Sequence, residues 1–351
     1  MHCLISVIMN HWPEYDTQAR ILKQQILQHP DPLGFAPPPI FGQASGFLLA
    51  VDWDNEQILA GRPFPKPFGF TLCDDMLYVA TWDGEDVLAV RGNTVTRRFK
   101  HPWFNHLHSI DPTPDGLLIT SSGTDLIAEV DRTGELLWDF FLFEHGYGQP
   151  PYPLAGLFQR SQNYNHRYIP SYISKHVNSA IRIDDETVLA TVFRSNELIH
   201  INRRTKKIET VLSGLHRPHS IRRRHGGGYI LSDTEGRAVI LLDSCLRPEQ
   251  AISIDAPWIQ DAVPAGDRLM VVSNIHLTNG PASMVGTGTS PLTGVVEFTM
   301  DGGFVKRLDL GAQHRLYMVE PITPEQADSL TQAWGNNIDT GAARWVSGPA
   351  R

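Results

Sequence analysis

Cysteine is scarce in this 351-residue chain, which has three copies, Cys3, Cys73 and Cys245. An odd number without metal-ligand spacing argues against a disulfide framework and points to reduced thiols in a cytoplasmic setting. Positive charge is also in deficit: 30 Lys and Arg face 38 Asp and Glu, for a formal net charge of −8. The longest basic run, RRR at 222–224, lies beside a Gly-rich turn and is too short for a nucleic-acid interface. Long apolar runs are missing as well. CLISVIM, at 3–9, has no basic flank or small-residue cleavage site, and no stretch is long enough to span a bilayer. The expectation is a cytoplasmic protein with neither a nucleic-acid nor a membrane partner.

What the chain has in quantity is turn residues, with 29 Gly and 25 Pro. Between His176 and Asp243 two near-copies of one plan follow each other. A His-bearing lead-in (KHVNSA, RPHSI) precedes a polar turn (IDDET, HGGGY) and an apolar run (VLATVF, YILSD), and a second apolar run follows. Short alternating runs bounded by Gly, Asp or Asn read as consecutive antiparallel strands. A period of about forty residues with four strands per unit predicts a propeller blade.

Similar units run through PFGFTLCDDMLYVATWDGEDVLAV, HLHSIDPTPDGLLITSSGTDLIAEV and WIQDAVPAGDRLMVVS. HRLYMVEPITP leaves a strand deficit at the C-terminal end, and GFLLAVDWDNEQILA leaves a surplus near the N-terminal end. Pairing the two closes the ring and removes exposed sheet edges. The reading is all-β: a six-bladed β-propeller of four-stranded antiparallel blades over 45–322, with short helical extensions. Residues 1–44 are read as an N-terminal extension, a helix followed by the Pro-rich connector 30–39. Residues 323–351 are read as a C-terminal helix and tail. Insertions are expected at 141–174, as an aromatic lid, and at 278–294, as a flap.

In a propeller the innermost strands start at one mouth of the channel, so their first residues converge. The lead-ins carry His106 and His108, His176 and Asn178, His219, Gln260 and Asp261, and His314 with Tyr317 nearby. Four histidines at one repeat register exceed what blade packing requires, because the first full unit has Phe68-Gly69-Phe70 there. Strand alternation allows either His106 or His108 to face the axis, and the match to His219 before Ser-Ile favours His108.

The segments HSIDPTPDGLLITSSGTDLIAEVDRTGELLW, HVNSAIRIDDETVLATVFRSNELIHIN and RPHSIRRRHGGGYILSD resemble the PAPS-independent arylsulfotransferases over roughly residues 105–243. That resemblance implies a six-bladed propeller that moves a sulfuryl group between phenols. His219 falls where the family has its nucleophile, although Arg217-Pro218 replaces the usual Gly-Gln before it. His176, Arg194 and His108 match the remaining catalytic positions. The implied scheme passes through a sulfohistidine at His219 without a cofactor. Arg194 and a protonated His176 would steady the sulfuryl oxygens, and His108 would move the proton. Asn178, Gln260, His314 and Tyr317 are candidate substrate contacts, and the expected partner is a small aromatic or anionic molecule.

Two further readings stay open. Three or four neutral imidazoles would suit a divalent transition metal (Fe, Mn, Cu, Zn or Ni), held by His108, His176, His219 and His314 and completed by Asp261 or Gln260. An oxygenase, lyase or isomerase would follow from that site. The other reading is a non-catalytic propeller that binds a ligand or protein.

Overall fold

A computed structural model of the protein describes residues 1–9, 12–27, 46–82, 86–147, 154–165, 167–169, 171, 173–274, 293–335, 338, 340 and 343–348. Its strands form six antiparallel sheets, the blades of a six-bladed β-propeller. The chain starts with strand β1 (His2–Met9) and helix α1 (Trp12–Leu27), then β2 (Gly46–Asp52) and β3 (Gln57–Phe64). One blade is built from β4 (Pro67–Cys73), β5 (Met76–Thr81), β6 (Asp86–Arg91) and β7 (Thr94–Lys100). The next comprises β8 (Leu107–Pro112), β9 (Gly116–Ser121), β10 (Leu126–Asp131) and β11 (Leu136–Phe141). A short helix, α2 (Leu154–Leu157), precedes β12 (Val177–Arg182), β13 (Thr187–Val192), β14 (Glu197–Asn202) and β15 (Ile208–Leu212). Then come β16 (Pro218–Arg223), β17 (Tyr229–Asp233), β18 (Ala238–Leu242) and β19 (Pro248–Ser253). The fifth blade has β20 (Ile259–Ala265), β21 (Arg268–Ser273), β22 (Gly294–Thr299) and β23 (Phe304–Asp309). Strand β24 (Arg315–Ile322), helix α3 (Pro324–Trp334) and β25 (Arg344–Ser347) end the chain.

The polarity of the strands sorts them within each blade. Second strands are buried along their length, as in Gly116–Ser121, whereas the outermost strands β7 and β19 are mostly exposed and carry Arg97, Arg98 and Glu249. A strand covered on both faces reads as a continuous apolar run, and an edge strand keeps charge. The hairpin turns are held by Asp side chains. Asp131 Oδ1 accepts from the N–H groups of Thr133 and Glu135 at 2.7 and 2.9 Å, and Asp243 repeats this with Cys245 and Arg247, both at 2.8 Å.

The closing blade has the order β24-β1-β2-β3. Its C-terminal strand joins N-terminal strands as expected, but the assignment of residues 1–44 to an extension is corrected at β1. Leu4 pairs with Ala50 on one side and with Glu320 on the other. CLISVIM is buried on both faces from Cys3 to Ile8, so it lacks the alternation that marks a half-exposed strand. The tail is corrected in the same way: β25 pairs with β23 as a fifth strand, with Trp345 opposite Leu308. Helix α3 starts at Thr323, whose side chain and that of Gln326 form a reciprocal capping box. The connector at 30–39, His276 and residues 278–292 of the second insertion lie outside the described residues.

Two compact units divide the chain. One comprises Met1–Thr17, Ser45–Phe64 and Arg222–Arg351. Its core joins Ile5 and Val7 to Leu49, Val272, Leu308, Leu316 and Val319. The other comprises Gln18–Ala44 and Pro65–Ile221, with cores around Ile119, Leu126 and Phe141 and around Val177, Ala190 and Ile199. In this second unit β4 packs on β8 and β8 on β12. Gly69 permits that approach, because a Cβ there would lie 2.5 Å from the His108 carbonyl oxygen.

The insertion at 141–174 builds a small core of its own around Tyr164, Ile169 and Ile173. Phe158 stacks on Tyr164 at 4.6 Å and meets Phe141 and Phe143 at 4.8 and 5.1 Å. Asn105 ties it down by donating from Nδ2 to the carbonyls of Tyr164 and Arg167 at 2.8 and 2.9 Å. Phe141, Phe143, Phe158 and Tyr164, expected in an aromatic lid, are thus used for packing.

Candidate active site

The candidate site in the second unit grows out of one repeated backbone device. Just before the inner strand of four blades stands a residue with left-handed φ: Lys66 at 44°, His106 at 51°, His176 at 63° and Arg217 at 56°. Their carbonyls fix the register, since those of Lys66, His106 and His176 accept from Trp82, Ser122 and Phe193 N–H at 3.1, 3.0 and 3.2 Å. A left-handed non-glycine residue is costly, and such residues concentrate where geometry serves a site.

This register revises the expectation of four histidines at one repeat position. His106 and His176 occupy the left-handed position together with Lys66 and Arg217. His108 and His219 stand two residues later, where the other blades of this unit have Phe68 and Asn178. The choice between His106 and His108 also dissolves, because both meet the cluster. His106 precedes the strand, so strand alternation does not govern it.

The later position fixes its tautomer. A carbonyl oxygen only accepts, so the Nδ1 contacts of His108 to His106 O at 2.8 Å and of His219 to Arg217 O at 3.3 Å make Nδ1 the donor in both rings. The nucleophilic lone pair is then on Nε2 in each. Threonines of the second strands hold the HSI and NSA motifs in place. Thr120 Oγ1 donates to Asn178 O at 3.0 Å and accepts from Ser109 N–H at 2.9 Å; Thr191 repeats this with His219 O and Ser179 N–H, both at 3.1 Å.

The rings form a chain of edge and tilted contacts. Phe68 lies 4.9 Å from His108, and His108 lies 4.8 Å from His176 at 86°. Phe193 continues it, 5.6 Å from His176 and 4.9 Å from His219. On the other flank Trp82 meets His106 at 4.8 Å, and Tyr168 of the insertion meets it at 6.0 Å. Cations sit over these aromatics: Lys66 Nζ is 5.4 Å from the Trp82 ring, and the Arg217 guanidinium is 5.5 Å from Phe193. The Arg194 Nε donates to Ser171 O at 2.5 Å. Asn178 is buried, and its Oδ1 has no hydrogen-bond partner among the described residues.

Charge is unwelcome on these imidazoles. Burial, reinforced by His108 and Lys66, pushes His106 down to about 3. Burial takes His108 down to about 4 against the opposing hydrogen bond to His106. His176 falls well below its ordinary value through burial and through repulsion from His108, Arg194, His106 and His219. The expected protonated His176 is therefore corrected: these rings are neutral at neutral pH, and fixed positive charge comes from Arg194, Lys66 and Arg217. Burial acts oppositely on Asp125, raising its carboxyl to about 7 despite N–H donors from Lys175, His176 and Val177.

The remaining sequence candidates belong to the first unit. Gln260 Oε1 accepts from Trp258 Nε1 at 2.9 Å, and Asp261 Oδ2 binds Arg222 at 3.1 Å and the Val319 N–H at 3.2 Å. Asp261 Oδ1 is buried with no hydrogen-bond partner among the described residues. His314 lies edge-on to Phe47 at 5.6 Å, and the buried Tyr317 hydroxyl is pushed well above its ordinary value by burial and Asp261. Among the described residues, no three or more His, Cys, Asp or Glu side chains are grouped to hold a metal ion. Lys66, Trp82, Phe193 and Tyr168 were not singled out from the sequence. The shared lead-in position of Lys66 and His106 was the available signal.

The fold is a six-bladed propeller, and its second unit gathers histidines and aromatic rings around the starts of its inner strands. No family model matches the chain, and no curated protein matches it. Solved propellers do. A protein of unknown function from Bacteroides caccae is 12% identical with a TM-score of 0.56, covering 88% of this chain and 93% of its own. A chain from a nidogen/laminin complex is 10% identical with a TM-score of 0.54, covering 91% and 97%. Virginiamycin B lyase from Staphylococcus aureus aligns at 11% identity and a TM-score of 0.46, over 66% of this chain and 74% of that one. The first two likenesses speak for the fold alone. No described helix is long and apolar enough to cross a membrane.

Proposed function

We propose that the second unit carries an imidazole group-transfer site, with sulfuryl transfer between phenols as its reaction. The supporting observation is the shared tautomer of His108 and His219, each with Nδ1–H tied to the carbonyl two residues back, which puts the basic lone pair on Nε2. His219 Nε2 attacks the sulfur of an aryl sulfate. The N–S bond forms, the S–O(aryl) bond breaks, and its electron pair leaves on the phenolate. Positive charge then develops on the ring, and the Arg217 carbonyl steadies it through Nδ1–H. Arg194 supplies fixed positive charge for the sulfuryl oxygens. His108, neutral at working pH, takes the proton from the acceptor phenol, whose oxygen attacks sulfur and returns the electron pair to His219. Phe68, Trp82, Tyr168 and Phe193 supply ring faces and edges for aryl groups.

Because His108 is neutral, it does not protonate the departing phenolate, so donors with acidic phenols are expected to react fastest. The test uses 4-nitrophenyl sulfate with a phenol acceptor. Wild type should release nitrophenolate in an acceptor-dependent manner. His219→Ala should lower kcat by on the order of 1,000-fold or more. Undiminished turnover in that variant would remove His219 from the nucleophile's role.

A further inference from the structure

The joint that carries His176 is built from three chain segments. Asp125, in the turn after β9, has φ 52° and is almost fully buried. Its two carboxylate oxygens accept backbone N–H groups from the following blade, Oδ2 from Lys175 and Oδ1 from His176, both at 2.6 Å. On their other side the same two residues present carbonyls: Lys175 O accepts from Arg194 N–H at 3.0 Å and His176 O accepts from Phe193 N–H at 3.2 Å. One carboxylate therefore fixes the dipeptide that sets His176 and, through it, the backbone of Arg194.

The next repeat builds the same turn with an amide in this position. There Asn196, with φ 59°, accepts a single N–H, that of Arg217, at 3.0 Å. An amide has one accepting oxygen and cannot offer a separate acceptor atom to each of two N–H groups; its NH₂ would face the second donor. A buried carboxylate is costly unless its hydrogen bonds are met, so its use where an amide serves the neighbouring blade calls for a reason. Two-point fixation is that reason. It removes the remaining freedom of a left-handed residue whose ring must stay against His108.

We infer that Asp125 is a positioning residue for the group-transfer site, holding His176 and Arg194 in register by a two-oxygen grip on Lys175 and His176. This inference rests on the reading of the site as a sulfuryl-transfer centre, and its test separates the two. In Asp125→Asn, kcat for transfer from 4-nitrophenyl sulfate should fall by about 100-fold, the scale of a small misplacement. KM should change little and the protein should stay folded, since Asn196 shows that an amide suffices to build the turn. Unchanged kcat, or a loss that appears only as unfolding is approached, would overturn the assignment. If wild type shows no turnover, the sulfuryl reading fails and nuclear magnetic resonance decides the positioning claim. Shifted His176 ring resonances in Asp125→Asn support the grip, and unchanged ones refute it. If Asp125→Asn does not fold, hydrogen exchange on wild type decides instead. Protected Lys175 and His176 amides support the grip, and exchange as fast as in an exposed loop refutes it.

Discussion

Protonation is the property most at stake for individual residues. His106, His108 and His176 have folded-state values below the ordinary 6.5, two of them at about 3 and about 4. Below pH 6.5 the unfolded chain binds protons that the native rings refuse, so stability falls as pH drops from 6.5 towards 4. Asp125 works in the opposite sense. Raised from 3.8 to about 7, it binds a proton in the native state that the unfolded chain lacks, and its contribution falls as pH rises through that window. Three groups against one leave acid as the destabilising direction, so the melting temperature should be lower at pH 5 than at pH 7.5. His106→Asn should flatten the dependence. An equal or higher melting temperature at pH 5 would contradict the neutral-imidazole account. Arg194→Met should cost on the order of 100-fold in kcat, as expected for loss of one charge-stabilising donor, with the melting temperature near that of wild type.

At the scale of the element, the lead-in and its supporting strands decide where the imidazoles sit. The HLHS, HVNS and RPHS segments were legible as a site because histidine recurs where packing asks for nothing polar. Their register was not legible. A left-handed residue at His106, His176 or Arg217 rotates the chain before the strand begins, and alternation cannot be counted through it. The same bend hid Lys66 and Trp82, and nothing in SGTD marked Asp125. Gly69 offers an element-level test, since a methyl group there would press on the His108 carbonyl and on Ser109 Cα at 2.8 Å. Gly69→Ala should destabilise by about 1–3 kcal/mol and weaken transfer in the folded fraction. A variant with wild-type melting and activity would show that β4 and β8 have room the structure denies them.

For the whole molecule, blade number and ring closure could be read from the forty-residue period and from the strand deficit at one end. The missing part was β1, a strand buried on both faces whose pattern is that of any apolar run. It holds the middle of the closing blade, with Cys3, Ile5 and Val7 in the core beside Leu316 and Val319. Removal of residues 1–9 should therefore lower the melting temperature sharply and broaden unfolding. An unchanged transition would mean that the blade closes without it. The central claim, that a neutral imidazole of this propeller accepts a transferred group, is met most directly by intact-protein and peptide mass spectrometry. The protein would be mixed with 4-nitrophenyl sulfate in the absence of acceptor. The account predicts one acid-labile sulfuryl group per chain, located on His219 and discharged when a phenol is added. Nitrophenolate release with no modified histidine, or a stable label elsewhere, would contradict it.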